Sequence, residues 1–257
     1  MLYVSPGSSG SAGGVAFRDE DILAYDTGTG VWAMYFDGSD VGLSSTDVNA
    51  FALLSDGSIL MSFDSSSVAI PGLGMVEDSD IVRFVPTSTG SDTAGSFEWF
   101  FDGSDVGLTD GGEDIDAIDF TPDGRLVVST IGSFSVSGVS GQDEDLIVFS
   151  ATQLGAMTSG SWSMYFDGSD VGLSDSSSED INGVWIDGAT GEIYLSTMGS
   201  FAVEGSSGDG GDVFICVPSA LGETTVCTFG PGLYWDGSAN GFGGEVIDGL
   251  SVTLSLS

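Results

Sequence analysis

One segment occurs four times along this chain, and its spacing constrains the fold more than any other feature. The copies read YFDGSDVGL, FFDGSDVGL, YFDGSDVGL and YWDGSANGF, and we call the last eight residues of each copy the marker. Each marker begins with an aromatic residue, and these residues are 65, 65 and 69 positions apart: Phe36, Phe101, Phe166 and Trp235. Self-similarity at a near-constant period indicates one supersecondary unit repeated four times.

The residues after each marker repeat in phase and predict four antiparallel strands per unit. An apolar stretch interrupted by a turn predicts strands A and B, with Asp56-Gly57, Asp123-Gly124 and Asp187-Gly188 at the reversal. Asp-Gly supplies the positive φ that tight hairpins need. A Gly/Ser-rich connection leads to strand C, and strand D, with apolar residues in a period of two, leads into the next marker. No helical periodicity is present.

Four strands repeated four times predict an all-β chain folded as a four-bladed β-propeller. The chain begins with MLYVS, which matches strand B, and ends with EVIDGLSVTLSLS, which matches strand A. The C-terminal strand is therefore expected to complete the N-terminal blade and to close the ring, which removes exposed sheet edges. We predict one domain over 1–257, with blade 1 at 1–43 plus 244–257, blade 2 at 44–108, blade 3 at 109–173 and blade 4 at 174–243.

The charge of the chain is extreme. It has 39 acidic residues, three arginines and neither Lys nor His, for a net charge of −36. Such self-repulsion destabilises a compact state and is offset by bound divalent cations or by high salt; an acidic surface kept for solubility is the other interpretation. Nucleic acid is excluded as a partner because clustered basic residues are missing. Membrane insertion is excluded because no stretch approaches the ~18 apolar residues of a spanning helix.

Three sets of acidic or amide side chains recur once per blade. The markers contribute Asp37 and Asp40, Asp102 and Asp105, Asp167 and Asp170, and in the fourth copy Asp236 alone, with Ala239 at the second position. Oxygen ligands at this density suit Ca²⁺, so we predict Ca²⁺ binding here, weakest in blade 4. The alternative is that each Asp accepts hydrogen bonds from its own turn.

The second set precedes strand C, where acids two residues apart share one face of the chain. Its members are Asp19 and Asp21, Asp78 and Asp80, Asp143 and Asp145, and Asp212. We expect Asp21, Asp80, Asp145 and Asp212 to complete the metal sites, and the remaining three to be solvated. The third set opens strand A and is expected to ring the mouth of the central channel, holding an ion or water or else capping the strand: Asn49, Asp116, Asn182 and Asp248.

Enzymatic chemistry is poorly supported. Without His or Lys the chain has no imidazole base and no Schiff-base amine. A glycosidase-like carboxylate pair remains open, but a single active site would not recur fourfold. Cys216 and Cys227 flank a predicted turn, so a disulfide is expected, with two buried thiols as the alternative. A disulfide indicates an extracellular compartment, although MLYVSPGSSG does not read as a signal peptide.

The marker, followed by an acidic strand start and an Asp-Gly hairpin, resembles tandem segments of uncharacterised secreted or surface proteins of bacteria and archaea. The resemblance implies an extracellular or cell-surface location. In architecture alone, four blades resemble hemopexin-type propellers, whose repeat motif this chain lacks. We therefore predict a non-enzymatic, cation-stabilised structural or adhesive module, self-associating in an array or filament or binding cell-surface glycan. Carbohydrate binding or processing through exposed aromatics such as Trp235 is one alternative; an intracellular protein adapted to high salt is another.

Overall fold

The computed structural model describes residues 1–174 and 176–254 and shows a four-bladed β-propeller. Each blade is a four-stranded antiparallel sheet, and the innermost strands of neighbouring blades contact one another around the axis. The innermost strands are β6 (Val48–Leu53), β12 (Ile115–Phe120), β18 (Gly183–Ile186) and β24 (Ile247–Val252). No α-helix occurs within the described ranges.

The other strands follow outward in each blade. The second strands are β1 (Leu2–Pro6), β7 (Ile59–Phe63), β13 (Leu126–Thr130) and β19 (Ile193–Ser196). The third are β4 (Ile22–Asp26), β10 (Ile81–Ser88), β16 (Leu146–Gln153) and β22 (Phe214–Ala220). The outermost are β5 (Val31–Phe36), β11 (Ala94–Phe101), β17 (Ser159–Phe166) and β23 (Val226–Phe229). These are strands B, C and D of the predicted unit.

The ring closes as the sequence predicts. The first blade has the order β24-β1-β4-β5, so that strand β24 from the C-terminal end pairs with β1 from the N-terminal end. The pairing is antiparallel, with Leu2 opposite Val252 and Val4 opposite Leu250. The final residues of the predicted strand, 255–257, lie outside the described residues. Main-chain hydrogen bonds of a sheet therefore join the two ends of the chain within one blade.

The Gly/Ser-rich connection between strands B and C contains an element that the sequence did not reveal. In each blade it forms a two-stranded hairpin of three-residue strands. These are β2 (Gly10–Ala12) with β3 (Val15–Phe17), β8 (Val68–Ile70) with β9 (Gly74–Val76), β14 (Phe134–Val136) with β15 (Val139–Gly141), and β20 (Phe201–Val203) with β21 (Ser206–Gly208). The hairpins account for much of the extra length of each repeat.

One turn differs from its prediction. Gly57 and Gly124 adopt positive φ in the first two A–B hairpins, as expected for Asp-Gly turns. In the third, the residue with positive φ is Gly191 rather than Gly188. Here the loop is longer: the Gly191 N–H donates to the Asp187 carbonyl at 2.7 Å, and the Asp187 side chain accepts from Ala189 N–H.

The core lies between blades as well as within them. Each of the four buried apolar clusters draws on neighbouring blades. Phe36 at the end of blade 1, for example, packs edge-on against Phe84 of blade 2, with ring centroids 5.1 Å apart. The first aromatic of the first three markers is completely buried, and the last residue of every marker is at most 3% exposed: Leu43, Leu108, Leu173 and Phe242. The marker therefore places an apolar residue in the core at each of its ends.

Candidate functional site

The marker loops are held by bonds within the loop, shown by the copy in blade 2. Asp102 Oδ1 accepts from the Ser104 hydroxyl at 2.8 Å and from the Asp105 N–H at 3.3 Å. Gly103 follows, and a Cβ at this position would lie 2.2 Å from the Ser79 carbonyl oxygen. The equivalent glycines meet the same obstacle at 2.2–2.3 Å: Gly38, Gly168 and Gly237. The close approach of two main-chain segments thus requires the glycine of Asp-Gly-Ser.

The second Asp of the marker ties its blade to the next one. Asp105 Oδ2 accepts from the Thr158 N–H at 2.8 Å, and Thr158 Oγ1 accepts from the Asp102 N–H at 2.9 Å. Thr158 Oγ1 also donates to the carbonyl of Gly155 at 2.9 Å, and the Gly155 N–H donates to the Phe100 carbonyl. Asp40 with Thr93 and Asp170 with Thr225 repeat the arrangement. We call this set of bonds the interblade clasp.

The threonine of the clasp was missed by the sequence reasoning, although a signal exists. The turns between strands C and D contain GSDT, GAMT and GETT, a Gly-x-x-Thr pattern in blades 2, 3 and 4. The corresponding turn of blade 1, DTGTG, lacks it. Blade 1 is also the blade that faces the fourth marker, in which Ala239 replaces the clasp Asp. The two losses match across one interface.

The acids before strand C are bound by main-chain donors. Asp80 Oδ1 accepts from the Gly103 N–H of the marker at 3.0 Å, and Oδ2 accepts from the Glu77 N–H at 2.8 Å. Burial raises the pKa of Asp80 to about 6. Asp21, Asp145 and Asp212 make the same pair of bonds. These acids, like those of the markers, accept hydrogen bonds from main-chain N–H groups, which is the alternative role that the sequence left open. Ca²⁺ binding by either set stays a prediction.

Asp19, Asp78 and Asp143 lie at one end of the channel. Their carbonyl groups accept from an N–H at or just before the start of the next innermost strand, as in the bond of 3.1 Å from Ile115 N–H to Asp78. The expectation of a solvated side chain was wrong for Asp143, which is buried and whose Oδ1 has no hydrogen-bond partner. The acids before strand C therefore differ: the second acid of each pair accepts main-chain hydrogen bonds, whereas Asp143 has a carboxylate oxygen without a partner.

The ring expected at the channel mouth is fully buried. Asn49, Asp116, Asn182 and Asp248 have 6%, 1%, 0% and 5% of their surface exposed. Asn49 donates its amide to the Ile115 carbonyl of the next blade at 3.0 Å. Both carboxylate oxygens of Asp116 and both amide atoms of Asn182 have no partner. We call these four residues the axial ring.

A further set of acids lies two residues before three members of the axial ring, where the chain leads into the innermost strands. Asp47, Asp114 and Asp180 form it, and the alternation D-V-N, D-I-D, D-I-N in the sequence is the signal that could have revealed them. Burial raises the pKa of Asp47 to about 7, with Asp19 and Asp64 adding to the effect. Burial raises the pKa of Asp114 to about 6 and that of Asp180 to about 7. The channel mouth therefore gathers acids whose negative charge is disfavoured by burial.

Two arginines that could offset this charge are paired elsewhere. Arg83 forms ion pairs with Asp56 and Glu98, and Arg125 pairs with Asp123, all at the outer strands and A–B turns. Among residues 1–174 and 176–254, no three Asp, Glu or Cys side chains converge in a ready-made metal site. The described chain also has no helix of the length and apolarity needed to cross a membrane.

The two cysteines and Trp235 have definite places. Cys216 on β22 and Cys227 on β23 form a disulfide, with their Cα atoms 5.3 Å apart. The expectation that Trp235 is exposed was wrong: it is 5% exposed, and its ring packs against those of Trp32 and Phe242. The first residue of the fourth marker fills the core as the phenylalanines of the other copies do.

No protein-family model and no curated protein matches the chain. Solved structures that are similar to it include the extracellular domain of a protein of B. thetaiotaomicron described as a hybrid two-component system, at 13% identity and a TM-score of 0.23, covering 78% of this chain. An extracellular domain described as that of a one-component system from the same organism matches at 14% identity and a TM-score of 0.23, again over 78% of this chain. The chain spans about a quarter of those chains, 25% and 26%. A likeness at this level carries no argument about function.

Proposed function

We propose that this protein is a non-enzymatic module that acts outside the cell as a structural or adhesive unit of an array or filament. Its ring is stabilised by bound cations, of which Ca²⁺ suits the oxygen ligands best. The partners are metal ions and either further copies of the module or cell-surface glycan.

The observation that carries the proposal is the buried acid at the channel mouth. Asp116, Asp143 and Asp180 are at most 8% exposed and have carboxylate oxygens without hydrogen-bond partners. A buried carboxylate without a partner costs several kcal/mol, unless it is protonated or a cation binds it. With a net charge of −36 the chain has few cations of its own to supply. A cation that binds the folded ring and not the unfolded chain stabilises the fold by mass action.

Location and chemistry have separate support. The Cys216–Cys227 disulfide supports an oxidising, extracellular compartment. The lack of His and Lys supports a role without acid–base or covalent catalysis. The repeated residues of the markers make bonds that hold the ring together, which favours a structural role for the repeat.

Thermal unfolding with and without chelator tests the cation. We expect Ca²⁺ to raise the unfolding midpoint of chelator-treated protein and EDTA to reverse the rise. NaCl at matched ionic strength is the control, because a protein stabilised by general screening responds equally to both salts. An unchanged midpoint in EDTA would remove bound cations from the proposal.

Sedimentation velocity and polysaccharide pull-down in Ca²⁺ test the structural or adhesive role. We expect either concentration-dependent self-association or retention on a polysaccharide. A protein that stays monomeric and is retained on no glycan would contradict that part of the proposal. The carbohydrate alternative no longer has Trp235 as a binding platform, because that side chain is buried.

A further inference from the structure

The four interfaces between innermost strands allow an internal comparison at the axial ring. At the interface of blades 2 and 3, Asn49 donates its amide to the Ile115 carbonyl at 3.0 Å. Asp116 occupies the same position at the interface of blades 3 and 4, opposite Ile181 by the same repeat. A carboxylate has no N–H to donate to a carbonyl. The bond that satisfies Asn49 therefore cannot form at an ionised Asp116.

The surroundings of Asp116 add further negative charge. Its carboxyl group interacts directly with that of Asp180, and Asp143 acts on both electrostatically. Asp116 is 1% exposed and Asp180 is 3% exposed. Both oxygens of Asp116 and Oδ1 of Asp180 have no hydrogen-bond partner. Solvent therefore does little to separate these charges.

Two carboxylates in contact and shielded from water are stable only with something positive between them. The choices are a shared proton and a cation. The cation is favoured because the acids outnumber what one proton satisfies: unpartnered oxygens belong to three carboxyl groups, on Asp116, Asp143 and Asp180. Two carboxylates supply up to four oxygen ligands, and Ca²⁺ completes its usual 6–8 with carbonyls and water.

We propose that Asp116 and Asp180 together bind one divalent cation of the Ca²⁺ type at the boundary between blades 3 and 4. This inference deepens the proposed function, since it names the site through which a cation stabilises the ring. It locates that site on the axis rather than in the marker loops. The cation links β12 to the segment that leads into β18, where an Asn-to-carbonyl bond joins β6 and β12 at the neighbouring interface.

Calcium binding by the full chain tests the site. Protein stripped with EDTA and desalted is titrated with CaCl₂ in a calorimeter, comparing the unmodified chain with Asp116→Asn and Asp180→Asn. We expect each variant to lose one tight Ca²⁺ per chain or to bind it at least tenfold more weakly. Asp92→Asn, an exposed carboxylate outside every predicted cation site, is the matched control and is expected to keep full binding.

Unfolding midpoints provide the second measurement. At Ca²⁺ a hundredfold above its Kd, we expect a rise of about 5–10 °C in the unmodified chain and little or none in Asp116→Asn. Asp116→Asn is expected to fold, because Asn occupies the same position in blades 2 and 4. Folding is checked by circular dichroism.

The outcomes separate this site from the wider proposal. If the unmodified chain neither binds Ca²⁺ nor responds to EDTA, both proposals are wrong. If it binds Ca²⁺ and both variants bind it equally well, the site is wrong and the proposed function stands. If the pair instead shares a proton, Ca²⁺ has no effect, and the midpoint in EDTA falls with rising pH in the unmodified chain but not in Asp116→Asn, which also overturns the site.

Discussion

The interblade clasp predicts that Asp105→Ala destabilises the ring although Asp105 itself is exposed at the surface. The substitution removes the acceptor of the Thr158 N–H, a bond of 2.8 Å to a charged group. Thr158 is 5% exposed, so water only partly replaces the lost acceptor. Asp105→Ala also introduces the residue that the fourth marker carries naturally at this position, Ala239.

The expected loss follows from the chemistry of that bond. A hydrogen bond to a charged group contributes about 1.5–3 kcal/mol, and an unpaired buried donor costs about 1–3 kcal/mol. We take the lower part of these ranges, about 1.5 kcal/mol, because the carboxylate is solvated on its other side. For a domain of this size each kcal/mol lowers the midpoint by roughly 2–4 °C, so the expected shift is about 3–6 °C.

The assay is urea or thermal unfolding followed by circular dichroism, at fixed Ca²⁺ and ionic strength. The matched control is the reverse substitution, Ala239→Asp in the fourth marker. The facing turn of blade 1 has no Gly-x-x-Thr, and the Asn240 next to this position already contacts Tyr25 and Trp32. We therefore expect Ala239→Asp to leave stability unchanged or slightly lower. A neutral Asp105→Ala, or an Ala239→Asp that stabilises by a comparable amount, would refute the clasp.

Three further predictions concern other parts of the ring. Gly103→Ala is expected to cost about 3 kcal/mol or more in urea unfolding, since its Cβ would meet the Ser79 carbonyl at 2.2 Å; a cost below 1 kcal/mol would contradict the close approach. Reducing the Cys216–Cys227 disulfide, which closes a short loop of sequence separation 11, is expected to cost about 2–3 kcal/mol, and an unchanged midpoint in reductant would argue against it. Burial raises the pKa of Asp119 to about 7, so the folded state keeps a proton that the unfolded chain releases at lower pH. The free energy of unfolding in EDTA is therefore expected to fall as pH rises from about 4 to 7. Asp119→Asn should flatten that slope, and an unchanged slope in the variant would contradict the prediction.

The repeat made the architecture predictable because a period in the sequence becomes a rotation about an axis. Strands A to D, the count of four blades and the pairing of β24 with β1 all follow from matching segments along the chain. The marker is conspicuous enough in the sequence that its position at each blade junction could be predicted. Its individual roles were not readable, because the partner of Gly103 is a carbonyl at Ser79 and the partner of Asp105 is an N–H some 53 residues away.

The hairpins and the axial acids were less predictable for a different reason. Strands of three residues, such as β14 and β15, are too short to show an alternation of apolar and polar residues within a Gly/Ser-rich segment. The recurrence of Asn49 and Asp116 marked the axial ring, but recurrence cannot show that one side chain finds a carbonyl while the other does not. An amide nitrogen alone does not decide the contact either, since Asn182 occupies the same position and both its amide atoms have no partner.

The junction of blades 4 and 1 shows how the ring tolerates the loss of a clasp. Here the marker has Ala239, and the facing turn has no threonine in the Gly-x-x-Thr register. An aromatic cluster takes over, in which Trp32 stacks on Phe242 with ring centroids 5.6 Å apart and donates its indole N–H to the Asn240 carbonyl at 2.8 Å. Blade 1 is also the blade completed by β24, whose main-chain ladder to β1 holds the ring closed. Because these contacts already fix the position of blade 1 and its turn lacks the clasp threonine, a surface carboxylate at 239 has no threonine N–H to accept from.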